Sequence, residues 1–93
     1  PRYEDGERTF TELQQRISKT LGFIDGLGRD AVEAGDPRAI THGSGERARH
    51  FDSGAVYLTH FALPNFYFHV TTAYAILRHN GVPIGKKDFV GSY

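Results

Sequence analysis

The stretch His60–Gly85, HFALPNFYFHVTTAYAILRHNGVPIG, carries the most structural information in the chain. Projected on a helix, residues 62–78 present three faces. One holds Ala62, Asn65, Phe66, His69, Thr72, Ala73 and Ile76. A second holds Leu63, Tyr67, Val70, Tyr74 and Leu77. The third holds Pro64, Phe68, Thr71, Ala75 and Arg78. Every face is apolar or aromatic for most of its length, and a helix of that kind is covered on most sides. Asn80–Gly81 is a stop signal that Pro83 reinforces. Pro64 removes one helical hydrogen bond and crowds the carbonyl of His60. Because apolar spacing continues on both sides of it, the sequence predicts one helix over about 53–80, kinked near 60–64 and capped by Asp52 or Ser53.

Upstream, Thr9 followed by Glu12 forms a capping box, which satisfies two free backbone donors reciprocally. Phe10, Leu13, Ile17, Leu21, Ile24 and Leu27 then recur at spacings of three and four, predicting an amphipathic helix over about 9–27. Glu12, Gln15, Arg16 and Lys19 fall off the stripe and are expected in solvent. Gly22 costs ~1 kcal/mol inside a helix and is expected to mark a close helix approach. The opening PRYEDGE reads as a loop, and RDAVEAGDPRA as a polar connection. Residues 38–51 give two extended segments around Gly43–Ser44–Gly45, a hairpin or extended loop. No Lys-Ser/Thr pair follows those glycines, which excludes a phosphate loop. The tail, 81–93, is expected to be irregular, with Ile84 and Phe89 packed back.

The expected fold is therefore mainly all-α: two long helices with a short β-hairpin between them, in a single domain over 1–93. Such a chain is too short to cover its own second helix. The first helix covers one face and the hairpin part of another. Leaving two aromatics exposed forgoes ~3–6 kcal/mol of burial, comparable with the whole stability of a small domain. The expectation is a core completed by another chain, two copies forming a four-helix bundle as a dimer, or by missing amino-terminal helices. The chain opens on Pro1 rather than Met and is expected to be trimmed.

Eleven basic and eleven acidic residues balance, which argues against a nucleic-acid partner, usually marked by a basic excess. No stretch approaches the ~20 apolar residues of a membrane span, and no secretory signal opens the chain. There are no cysteines, hence no disulfide and no thiolate metal site. That suits a reducing, cytoplasmic setting.

Asn65 and His69 stand four apart on one helix face. Two ligands at that spacing can share a metal, but Asn is a poor zinc ligand and no carboxylate lies nearby. The other reading is a buried hydrogen-bonded pair that fixes helix register. His60 lies two and a half turns from His69 and faces elsewhere. His79 suits the negative end of the helix dipole. His42 and His50 flank the glycine turn. Tyr67, His60 and Thr72 are the further candidates for facing a ligand. No reaction is assigned by any of these residues.

LPNFYFHVTTAYAILRHNGVPIGKKDF, with TFTELQQRISKTLGFID upstream, resembles the carboxyl-terminal half of an uncharacterised bacterial family within the DinB-like helical bundles, a superfamily of metalloenzymes. The resemblance runs from about Tyr3 to Gly91. It implies half of a DinB-like four-helix bundle, in which the helices present here are the third and fourth. It further implies a divalent metal, zinc or nickel, held by three histidines, two of them four apart on the last helix. His69 stands at the second of those positions and Asn65 at the first; the early-helix histidine has no counterpart. Hydrolase or thiol-transferase chemistry of relatives is the alternative that the resemblance implies, around a site that is incomplete or completed by a dimer.

Overall fold

The computed structural model describes residues 2–92. The fold is mainly helical with one small antiparallel sheet. The chain divides into two compact units, Pro1–Asp36 and Pro37–Tyr93, each described by itself.

In the first unit, helix α1 runs Phe10–Asp25. The capping box forms as the sequence requires. The Thr9 hydroxyl accepts the Glu12 N–H at 3.2 Å, and the Glu12 carboxylate accepts the Thr9 N–H at 2.9 Å and the Arg8 N–H at 2.8 Å. The helix ends at Asp25, two residues before the expected limit, where the Leu27 N–H donates to the Ile24 carbonyl, three residues back, at 2.9 Å and the α pattern gives way to a tighter turn. Gly22 has nothing within 4 Å of where a side chain would start, so the close approach expected of it is absent among the described residues. A short helix α2, Arg29–Glu33, occupies the connection read as irregular. Its Arg29–Glu33 pair at 2.6 Å is an i,i+4 ion pair, a spacing that favours one helical turn.

Arg16 departs from the expected solvated face. It donates to the Glu7 carboxylate and the Glu4 carbonyl and lies 3.4 Å from Asp5. The Tyr3 ring lies under the charges of Arg16 and Lys19, at 5.3 and 5.0 Å, a cation–π arrangement. One guanidinium thereby ties the acidic opening segment to α1.

In the second unit, strands β1 (Ile40–His42) and β2 (Arg49–Phe51) pair antiparallel, with Ile40 opposite Phe51, Thr41 opposite His50 and His42 opposite Arg49. Gly43 permits the turn. Its φ is +83°, and a side chain there would meet the Arg47 carbonyl at 3.1 Å. Ser53 then caps helix α3, Gly54–Tyr57, accepting the Val56 N–H at 3.2 Å. His42, Phe51, Tyr57 and Phe61 gather their rings, with centroids 4.7–6.1 Å apart, and this cluster joins the hairpin to the start of the helical stretch.

α3 passes without a break into a π turn, Leu58–Ala62, and then into α4, Leu63–His79. Pro64 explains the π turn. It has no N–H to give His60, and the Leu63 N–H reaches back to Leu58 rather than Thr59. Two carbonyls, those of Thr59 and His60, thus lose their i+4 donors, and the added residue is absorbed where the proline would clash. α4 ends in a Schellman motif: the Val82 N–H donates to Leu77 and the Gly81 N–H to Arg78, with Gly81 at φ +87°.

The tail is not wholly irregular. Helix α5, Lys86–Val90, forms where Asp88 accepts the Gly85 N–H at 2.7 Å. It returns to α4 as expected of Phe89: the Tyr74 hydroxyl donates to the Gly85 carbonyl, and the Tyr74 and Phe89 rings meet edge to face at 5.2 Å. Among the described residues, no helix is long and apolar enough to cross a membrane.

Candidate functional site

The candidate residues lie on the helical stretch of the second unit. Asn65 and His69 share one face of α4, one turn apart, and both are exposed. The expected burial is therefore not supplied by the described residues. The His69 ring stands edge-on to Phe68 at 5.3 Å. Thr72 follows on the same side, but its hydroxyl donates to the Phe68 carbonyl at 2.7 Å, which leaves only its lone pairs to offer a ligand. Tyr67 is exposed on a neighbouring face and meets Phe66 edge to face at 5.8 Å.

His60 sits in the π turn. Its Nδ1 lies 2.9 Å from the Thr59 hydroxyl, and that hydroxyl donates its one proton to the Ala55 carbonyl at 2.8 Å. The hydroxyl can then only accept from the imidazole. The neutral ring therefore carries its proton on Nδ1 and keeps its lone pair on Nε2. Thr59 was invisible as an orienting residue in the sequence, since a lone threonine before a histidine gives no signal until the helix places Ala55 one turn behind it.

His42 and His50 do not converge. They are on opposite faces of the ladder, because successive side chains of a strand alternate. His42 joins the aromatic cluster, while His50 Nδ1 is 2.9 Å from the Thr41 hydroxyl. His79 lies in the last turn of α4 and, with Thr71, Thr72, Ala75, Ile76 and Asn80, lines an open groove of about 430 Å³. In the first unit, a cavity of about 330 Å³ is lined by Tyr3, Glu7, Glu12, Arg16 and neighbours. Within it Arg16 pairs with Glu7, and Lys19 lies over the Tyr3 ring. The Arg16 hydrogen bond holds the Glu7 carboxyl below its ordinary value, and the Arg8 N–H, followed by the Thr9 hydroxyl and N–H, does the same for Glu12.

Among the described residues, no three histidine, cysteine or carboxylate side chains gather as a metal centre would require. One imidazole and one amide do not make the three-donor set that a divalent cation takes in a catalytic zinc site.

A family profile described as a domain of unknown function, DUF1993, matches residues 1–90. The chain belongs to the DUF1993 family. Among solved structures it is similar to a DinB family member protein from Shewanella denitrificans, with 39% sequence identity and a TM-score of 0.79. The match covers 100% of this chain and 51% of that one, so the DUF1993 chain spans about half the length of its relative. No curated protein matches it. The mainly helical fold with its small antiparallel sheet is thus similar to that of a DinB family member.

Proposed function

We propose that the chain is half of a DinB-like helical bundle, a module that acts by association, its apolar helix faces covered by helices from outside it. One observation carries this reading. None of the described residues is buried, and large apolar side chains stand open on both long helices: Phe10 at 87% exposure, Phe66 at 59%, Phe68 at 64% and Ile76 at 58%. Side chains of this size each contribute about 1.5–3 kcal/mol when fully covered, and the chain uses little of that alone. The span of half a relative's length supports the same reading. Two further helices, from a second copy or from a preceding segment, complete such a core. Association stabilises only the folded state and makes melting concentration-dependent. The midpoint of thermal unfolding of the pure chain rises across a hundredfold increase in concentration; a midpoint that does not move contradicts the proposal.

A second reading, divalent-metal binding at His69, is favoured by one observation: Asn65 and His69 are exposed together on one helix turn. His69 would be the ligand, and Asn65 would orient it. The site is incomplete in this chain and needs donors from the covering helices. Titration of Zn²⁺ or Ni²⁺ into the chain and into His69→Ala tests it. Equal stoichiometry in the two proteins removes His69 from any site.

A further inference from the structure

We infer that the cavity between the opening segment and α1 is a binding site for a small, singly charged carboxylate, held by Lys19 and Gln15 beneath a roof that Arg16 fastens. The site lies in the first unit and is independent of the association reading.

The roof comes first. The opening segment runs back along α1 in the opposite direction. Tyr3 lies against Arg16 and Lys19, Glu7 meets Arg16, and the Arg8 N–H reaches Glu12, nearer the start of the helix. All three guanidinium nitrogens of Arg16 turn to this segment. Nε and Nη2 grip the two Glu7 oxygens, Nη2 also donates to the Glu4 carbonyl, and Nη1 lies 3.4 Å from Asp5. A guanidinium that holds a carboxylate by two parallel donors fixes geometry as well as charge. Arg16 is therefore committed to the roof.

Beneath the roof lies the cavity of about 330 Å³, within the ~300–1,000 Å³ usual for small-molecule pockets. Two of its acids are occupied. Arg16 holds Glu7, and Glu12 accepts from the Arg8 N–H and from the N–H and hydroxyl of Thr9. Two of its donors are not. Gln15 and Lys19 stand four apart on α1 and are neighbours on one side of the helix. Both line the cavity, and neither has a hydrogen-bond or ion-pair partner among the described residues. Lys19 lies over the Tyr3 ring at 5.0 Å, a contact with the ring face that leaves N–H donors for an anion. An ammonium beside a carboxamide NH₂ offers donors to both oxygens of one carboxylate. The half-buried Tyr3 ring supplies a wall for an apolar stem.

The remaining acid sets the charge of the ligand. Glu4 also lines the cavity, and its carboxylate has no partner among the described residues. Lys19 answers one negative charge. The second charge of a phosphate is left facing Glu4.

Sodium acetate, exchanged for sodium chloride at constant ionic strength, is the probe. Saturable shifts of the Gln15 side-chain NH₂ and the Tyr3 ring protons are expected by NMR. Lys19→Met should weaken acetate about tenfold and Gln15→Leu about fivefold, the worth of a charged and a neutral donor. Gln15→Leu leaves the contact of Lys19 with Tyr3 in place, so its effect does not depend on the roof. Lys86→Met, in the second unit, should change nothing. Inorganic phosphate should bind about tenfold more weakly than acetate. Arg16→Gln should free Tyr3 from α1 and weaken acetate, although Lys19 and Gln15 remain. Helical circular dichroism checks that each variant folds. Shifts that never saturate, acetate binding that survives both Lys19→Met and Gln15→Leu, or phosphate bound as tightly as acetate overturn the inference. None of these outcomes bears on whether the chain associates.

Discussion

The two long helical stretches solve the same problem in different ways. α1 is two-faced and fastened by polar contacts at its beginning: Thr9 with Glu12, and Arg16 with Glu7, Glu4 and Asp5. The α3–π–α4 stretch has no ion pair among the described residues, and three of its hydroxyls turn to backbone carbonyls, Thr59 to Ala55, Thr72 to Phe68 and Tyr74 to Gly85. It is anchored by an aromatic cluster at one end and a glycine-based cap at the other. Polar fastening leaves α1 able to face water on one side. The Thr72 and Tyr74 hydroxyls of α4 are thereby committed to carbonyls, while Asn65, His69 and Arg78 on the same helix stay exposed.

The largest expected effect tests the aromatic anchor. Tyr57→Ala removes a half-buried ring shared by His42, Phe51 and Phe61. Full burial would make that cost ~3–5 kcal/mol, so a half-exposed ring loses about 2 kcal/mol, read by denaturant unfolding. The hairpin should lose amide protection while α1 keeps its own. Equal loss in α1 breaks the comparison.

Gly81→Ala comes next. It forces a side chain into φ +87° at the Schellman cap of α4, at a cost of about 1–2 kcal/mol. Thr9→Ala removes the cap of α1 and costs about 1 kcal/mol. The two variants should act on different regions, Gly81→Ala raising exchange at the end of α4 and Thr9→Ala at the first turn of α1. Crossed effects contradict the separation.

The smallest effect is acidic. Glu7 and Glu12 titrate lower in the folded chain than the ordinary 4.5. A depressed folded value favours the ionised carboxylate, so the stabilisation is fully present above the ordinary value and is lost as pH falls through the folded one. Both groups are open to solvent, so the change is small and screened by salt. The opening segment should loosen from α1 in acid, as read by the NMR ring-proton shifts of Tyr3, and Glu7→Gln should remove most of that dependence. A wild-type acid transition retained in Glu7→Gln would place the titrating group elsewhere.

Both long helices were legible because their signals are local. Thr9 and Glu12 are three residues apart, apolar residues recur at three and four, and Asn80–Gly81 is a stop written in two letters. The hairpin was legible from Gly43–Ser44–Gly45. The π turn was legible only as trouble near Pro64: the sequence shows the missing donor, but a kink and an added residue relieve it equally well. α5 was missed because Asp88 capping Gly85 is a weak signal in a five-residue helix. The role of Arg16 was missed because its partners lie nine or more residues away, and helix periodicity says nothing about what a loop brings to the polar face. Around the candidate site, Asn65 and His69 were found by spacing, whereas the oriented imidazole of His60 depends on a hydroxyl whose proton is committed elsewhere.

The central claim is that this chain does not complete its own core. Sedimentation equilibrium of the pure 10.4 kDa chain at micromolar concentration tests it most directly. The account predicts a species of twice that mass that dissociates on dilution with loss of helical structure. A compact monomer that holds its helices at every concentration would contradict it.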